Sequence, residues 1–201
     1  MKIKSFFYIA FSILISFNSL AQNKERKFKI HTLAFYNLEN LFDTINDVNK
    51  NDEASPIMEI KFNRGNIYKQ KVTNMARVIS EIGYDVTNRP PTIIGICEVE
   101  NRNVVEDLIA NEKLSKYNYG IVHYDSPDRR GIDVGLLYNK DIFKVINSNS
   151  HVLYINYNNT SDRSFTRDQL VVSGKLDGEL IHLIVNHWPS RGADETKRMA
   201  A

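Results

Sequence analysis

The chain has 201 residues, a formal charge of +2 and one cysteine, Cys97. A single cysteine excludes an intramolecular disulfide framework, and near-neutrality excludes a polycation that holds nucleic acid by bulk charge alone. Any phosphate-binding role would need locally gathered charge or a metal ion.

Residues 1–21 read as a secretory signal peptide. Lys2 and Lys4 precede an apolar stretch from Phe6 to about Phe17, and Ser19 and Ala21 place small residues before a cut at Gln22. The stretch is too short to span a bilayer comfortably, so no stable membrane span is expected and the product is expected to be secreted or periplasmic. Removing Lys2 and Lys4 from 26 basic residues leaves 24, equal to the 24 acidic ones. Residues 22–28 form a polar leader, and residues 29–201 are long enough for one domain with a sizeable core.

Lys29–Asn37 alternates as a strand ending in the polar cluster Asn37–Asn40, and the Asn- and Asp-rich residues 43–62 predict a long loop. Apolar residues at 67, 72, 75, 76, 79 and 82 line one face of a helix, with Gly83 as its C-terminal cap. Thr92–Cys97 is a continuous apolar run that suits a strand buried on both faces. A short helix follows around Val104–Ile109. Strands are predicted at 119–123, 132–138, 143–155, 170–176 and 180–186, the last two joined by an Asp177-Gly178 type I′ turn. Many strands with few helices predict a mixed α/β layered fold.

Several polar residues sit where chemistry could use them. Asn37, Glu98 and His187 each follow a predicted strand, and the carboxyl ends of buried strands gather at one sheet edge. Glu98 beside an Asn37 amide suits a hard cation such as Mg²⁺, although an exposed loop acid would look the same. His187 suits phosphoryl-oxygen chemistry, or a structural imidazole bonded to a carbonyl. Asp133 lies inside a strand and needs a partner, for which a histidine is a good candidate. Tyr124, Arg129 and Arg130 cluster in one turn, and Arg167 and Arg191 could add further phosphate-recognising guanidinium groups.

Taken in order, four blocks resemble the endonuclease/exonuclease/phosphatase superfamily, the deoxyribonuclease-I-like fold. They are Phe35–Phe42, Ile94–Asn101, Arg130–Tyr138 and Asn186–Arg191. The resemblance looks closest to secreted bacterial members described as endonucleases. It implies a four-layer sandwich of two mixed β-sheets flanked by helices, and phosphodiester or phosphomonoester hydrolysis with Mg²⁺, sometimes Mn²⁺ or Ca²⁺. It further implies Asn37 beside the metal, Glu98 as metal ligand, His187 on the scissile phosphate and Asp133 as the histidine's acidic partner. It implies a nucleic acid substrate; no protein partner is predicted.

The sequence departs from the family pattern at three points. Cys97 stands where Gln is frequent, and Gly131 stands where many members have an active-site tyrosine, a role left empty or passed to Arg130 or Tyr124. The later Asp-x-Asn and Asp-His blocks do not follow, so the chain is expected to be the N-terminal portion of a longer domain, poorly stable and inactive alone. Two other functions fit the same blocks: a phospholipid or inositol-phosphate phosphodiesterase, and a non-catalytic extracellular binding protein.

Overall fold

The structure, a computed structural model, describes residues 28–156 and 161–189. The predicted signal peptide, the leader up to residue 27, and Arg191 lie outside the described residues. The described residues from His31 onward make one compact unit.

Strand β1 (Leu33–Leu41) leads into a loop carrying a 3-10 turn (Asp52–Ala54) and the short helix α1 (Pro56–Glu59). Helix α2 (Arg64–Glu81) and a one-turn α3 (Tyr84–Thr87) cross to β2 (Ile93–Val99). Helix α4 (Arg102–Ala110) starts on Asn101, whose side chain accepts from the Val104 amide as an N-cap. Then come β3 (Tyr119–His123), β4 (Asp133–Asn139), β5 (Phe143–His151), the two-residue strands β6 (Ile155–Asn156) and β7 (Arg163–Ser164), β8 (Gln169–Leu176) and β9 (Glu179–Val185).

The apolar stripe of α2 is real and slightly displaced: Val72, Met75, Ala76 and Ile79 are buried while Ile67 is exposed. Gly83 follows the C-cap Ile82 at φ +64°, and a Cβ there would stand 2.6 Å from the Thr32 hydroxyl, so both conformation and space require glycine. The β8–β9 hairpin turns through Asp177 and Gly178, both at positive φ as a type I′ turn demands.

The first sheet has the order β1-β2-β4-β3, with β1 and β2 parallel and the other pairs antiparallel; the second is the antiparallel set β5-β8-β9. Ile94, Ile96 and Leu137 face α2 and α4, while Ile93, Cys97, Val134 and Leu136 face Phe143, Leu170, Val172 and Val185 of the second sheet. Strand β2 is therefore buried on both faces, as its unbroken apolar run predicts. The result is a mixed α/β arrangement of two facing sheets with helices packed on the first. Among the described residues no helix is long and apolar enough to cross a membrane.

Three predicted boundaries shift, one being the strand expected at 143–155, which ends at His151. Lys29–His31 is not strand, and β1 instead runs on through Asn37–Leu41 by way of a register shift. Glu98 does not follow β2 but lies within it, at a second shift between Cys97 and Val99. These paired irregularities build the site.

Candidate metal and phosphate site

Strands β1 and β2 lie side by side, and both slip register at the same edge. Bulges of this kind bend a strand and re-aim a side chain. Glu39, Asn40 and Glu98 adopt left-handed backbone, at φ 51°, 57° and 59°. For residues other than glycine this conformation is costly, and it concentrates at functional sites.

The irregularity turns Glu98 toward a set of donors. Its Oε1 accepts from the Asn37 amide nitrogen at 2.9 Å, and its Oε2 from the Asn40 backbone N–H at 3.0 Å. Nε2 of His187 stands 3.3 Å from Oε1, and both side chains keep about a fifth of their surface exposed. Asn37 thus orients the carboxylate; its own amide oxygen accepts from the Glu39 N–H at 2.7 Å. Helix α2 supports the bulge, because the Lys71 ammonium donates to the carbonyls of Glu39 and of Asn40, the latter at 2.9 Å. Burial lowers the Lys71 pKa, against the pull of Glu39 and Glu98.

A buried charge cluster fixes the other wall. Asp128 accepts a fork from Arg130, Nε to Oδ1 at 3.2 Å and Nη2 to Oδ2 at 3.1 Å, and Nη1 of Arg167 reaches Oδ2 at 3.2 Å. Burial alone would raise the Asp128 carboxyl, but hydrogen bonds and charge from Arg130, then Arg167, bring it below the usual carboxylate range. Arg167, 6% exposed, spends the rest of its guanidinium on the carbonyls of His187 (2.8 and 3.2 Å) and Trp188 (2.9 Å). It therefore holds the His187 turn in place. Burial first, and the Arg167 charge second, lower the His187 pKa, so a neutral imidazole is favoured near pH 7. Arg130 is 55% exposed, and its guanidinium is held further toward the charged form by Asp128 and Glu98.

The structure thus gathers Asn37, Glu98, His187 and Arg130. It leaves three other predicted residues elsewhere. Asp133 does not pair with His187: its Oδ2 lies 3.2 Å from Nε2 of His123, and its Oδ1 accepts from the Ser126 N–H at 2.8 Å. The reason is register, because antiparallel β3 and β4 bring their site-edge ends together. The Tyr124 hydroxyl bonds Ser148 Oγ at 2.7 Å on β5, and the Arg129 guanidinium lies 5.3 Å from the Phe165 ring centroid. Arg191 is outside the described residues. Sequence reasoning passed over Lys71, His123 and the clamping role of Asp128; only the unbalanced charge of a buried Asp could have pointed to the last.

The residues fit a hard divalent cation. Mg²⁺ uses one or two carboxylates and leaves its other positions to water and substrate phosphate. Glu98 supplies one pre-oriented, partly exposed carboxylate, with a cationic side chain and an imidazole nearby to meet a phosphate.

A search of curated proteins finds no match. Among solved structures the chain is similar to D. rerio TDP2 complexed with single-strand DNA product (18% identity, 59% of this chain and 40% of that one, TM-score 0.39). It is similar to an endonuclease/exonuclease/phosphatase from Bacteroides vulgatus (18% identity, 77% and 51%, TM-score 0.43). It is similar also to a mannosyl-6-phosphatase of Bacteroides thetaiotaomicron (15% identity, 77% and 50%, TM-score 0.42). The chain spans about half, or less, of the length of these structures. A sequence model described as the Endonuclease/Exonuclease/phosphatase family matches residues 32–201, most of the chain, which therefore belongs to the endonuclease/exonuclease/phosphatase family.

Proposed function

We propose that this chain carries the metal- and phosphate-binding part of a Mg²⁺-dependent phosphodiesterase, secreted or periplasmic, that cleaves DNA or RNA. The observation that supports it is Glu98, turned out of a strand by two adjacent bulges and oriented by Asn37 and the Asn40 amide, with His187 at 3.3 Å. Glu98 would hold the ion, which when bound neutralises charge building on the phosphoryl oxygens. Arg130, tethered by Asp128 but open to solvent, attracts and orients the phosphate. His187, kept neutral, hydrogen-bonds a phosphoryl oxygen while Arg167 fixes its backbone. Elsewhere, Asp133 lies beside His123 and Asp177 beside His31.

The test is Mg²⁺-dependent binding of a short labelled DNA, followed by fluorescence anisotropy, beside sphingomyelin vesicles and an inositol phosphate. Binding of DNA that EDTA and Glu98→Gln both abolish supports the proposal. Binding indifferent to both overturns it, and preference for either lipid-derived ligand moves the substrate class.

A further inference from the structure

His123 is an unusual buried residue. Its side chain is 3% exposed, and Asp133 beside it is 2% exposed. A buried carboxylate requires a counter-charge or a full set of hydrogen bonds, and a buried imidazole requires partners for both nitrogens. Asp133 has one backbone donor, the Ser126 N–H. Nε2 of His123 is buried without an aligned hydrogen bond, although Asp133 Oδ2 is only 3.2 Å away. Asp125 Oδ1 lies 4.0 Å from Nδ1, too far for a hydrogen bond. The imidazole thus has two carboxylates close by and an aligned hydrogen bond with neither.

This arrangement has the dimensions of a ligand set. One nitrogen of His123 and one oxygen each from Asp125 and Asp133 lie within 4.8 Å of one another. Tetrahedral Zn²⁺, with bonds of about 2.0–2.2 Å to nitrogen and oxygen, separates its ligands by roughly 3.3 Å. The 3.2 Å between Nε2 and Oδ2 of Asp133 matches that edge, and Asp125 would have to close on the same nitrogen to complete the set. Asp125 is 79% exposed on the connection after β3 and is free to swing inward. We propose that His123, Asp125 and Asp133 form a second cation site, apart from Glu98, for a borderline transition ion, with Zn²⁺ the best fit. An imidazole with two carboxylates prefers such an ion to Mg²⁺, which takes oxygen donors. The fourth position is left for water.

The site would tie down the segment that presents Arg130. Ser126, whose N–H binds Asp133, donates its hydroxyl to the Ile132 carbonyl, and the Asp128 N–H in turn contacts that hydroxyl at 3.4 Å. Asp128 then holds Arg130 and Arg167. Zn²⁺ at this position would add a further tie to this connection.

The experiment is calorimetric titration of the chain with Zn²⁺, and with Co²⁺ as a spectroscopic probe of tetrahedral coordination, in wild type, Glu98→Gln and Asp125→Asn. Asp125 is exposed, so its substitution leaves the fold intact, which circular dichroism checks. The expected result is one Zn²⁺ bound in wild type and in Glu98→Gln, with affinity at least tenfold weaker in Asp125→Asn and the visible Co²⁺ band lost with it. Binding unchanged in Asp125→Asn, binding abolished by Glu98→Gln, or no binding at all would each overturn the proposal.

Discussion

Glu100 allows a quantitative test of how burial and charge act at the site's base. The residue is 8% exposed, and its Oε2 accepts from the Asp43 N–H at 2.7 Å. Burial pushes its carboxyl up from 4.5 to about 7; the Asp43 hydrogen bond opposes this, and the charges of Asp43, Asp52 and Asp47 add to it. The folded state therefore keeps a proton that the unfolded chain gives up near pH 4.5. Stability from this group is complete below pH 4.5 and is lost as pH rises through about 7. At roughly 1.4 kcal/mol per pH unit, the loss amounts to about 3 kcal/mol by pH 8. Glu100→Gln keeps an acceptor for the Asp43 N–H and removes the ionisation. Urea unfolding followed by the fluorescence of Trp188 should show variant and wild type nearly equal at pH 4. At pH 8 the variant should be more stable by about 3 kcal/mol. A difference that stays constant with pH, or closes as pH rises, would refute the reasoning.

Two further outcomes follow from the clamps. Arg167→Lys keeps the charge but loses the fork onto His187, Trp188 and Asp128. With at least two charge-assisted bonds gone it should destabilise by about 3 kcal/mol in thermal unfolding, and a loss below about 1 would place the residue outside the framework. Lys71→Met removes the ammonium that pins the Glu39–Asn40 carbonyls while sparing the buried face of α2. Mg²⁺ titration should show affinity about tenfold weaker, the equivalent of one hydrogen bond to a charged group, and an unchanged Kd would remove Lys71 from the site.

Local chemistry was the readable part of this fold. The 3–4 spacing of Val72, Met75, Ala76 and Ile79, the Asp177-Gly178 turn, and the unbroken run at Ile93–Cys97 each state their own conformation. So did the residue types of the site, since a carboxylate directly after five apolar residues is conspicuous in any sequence. What could not be read was register. Whether Glu98 follows a strand or bulges from one depends on β1 and β4, more than thirty residues away on either side. The partner of Asp133 is likewise settled by the β3–β4 pairing, which seats His123 beside it and leaves His187 to Glu98. Lys71 carries no local signal, because on the sequence it is one more lysine on the polar side of a helix.

The parallel pairing of β1 with β2 also bears on how the molecule reaches its native state. The Asn37–Glu98 hydrogen bond joins residues 61 apart, and parallel strands require a crossover, here the whole of α2 and α3. Contacts of such long range form only after the chain has lost the entropy of closing the intervening loop, whereas α2 and the β8–β9 hairpin form locally and fast. The Asn37–Glu98 geometry thus has no precursor in any isolated segment. In a refolding experiment, helical circular dichroism should recover before the ability to bind Mg²⁺, and the interval between them times the docking of the first strand onto the second.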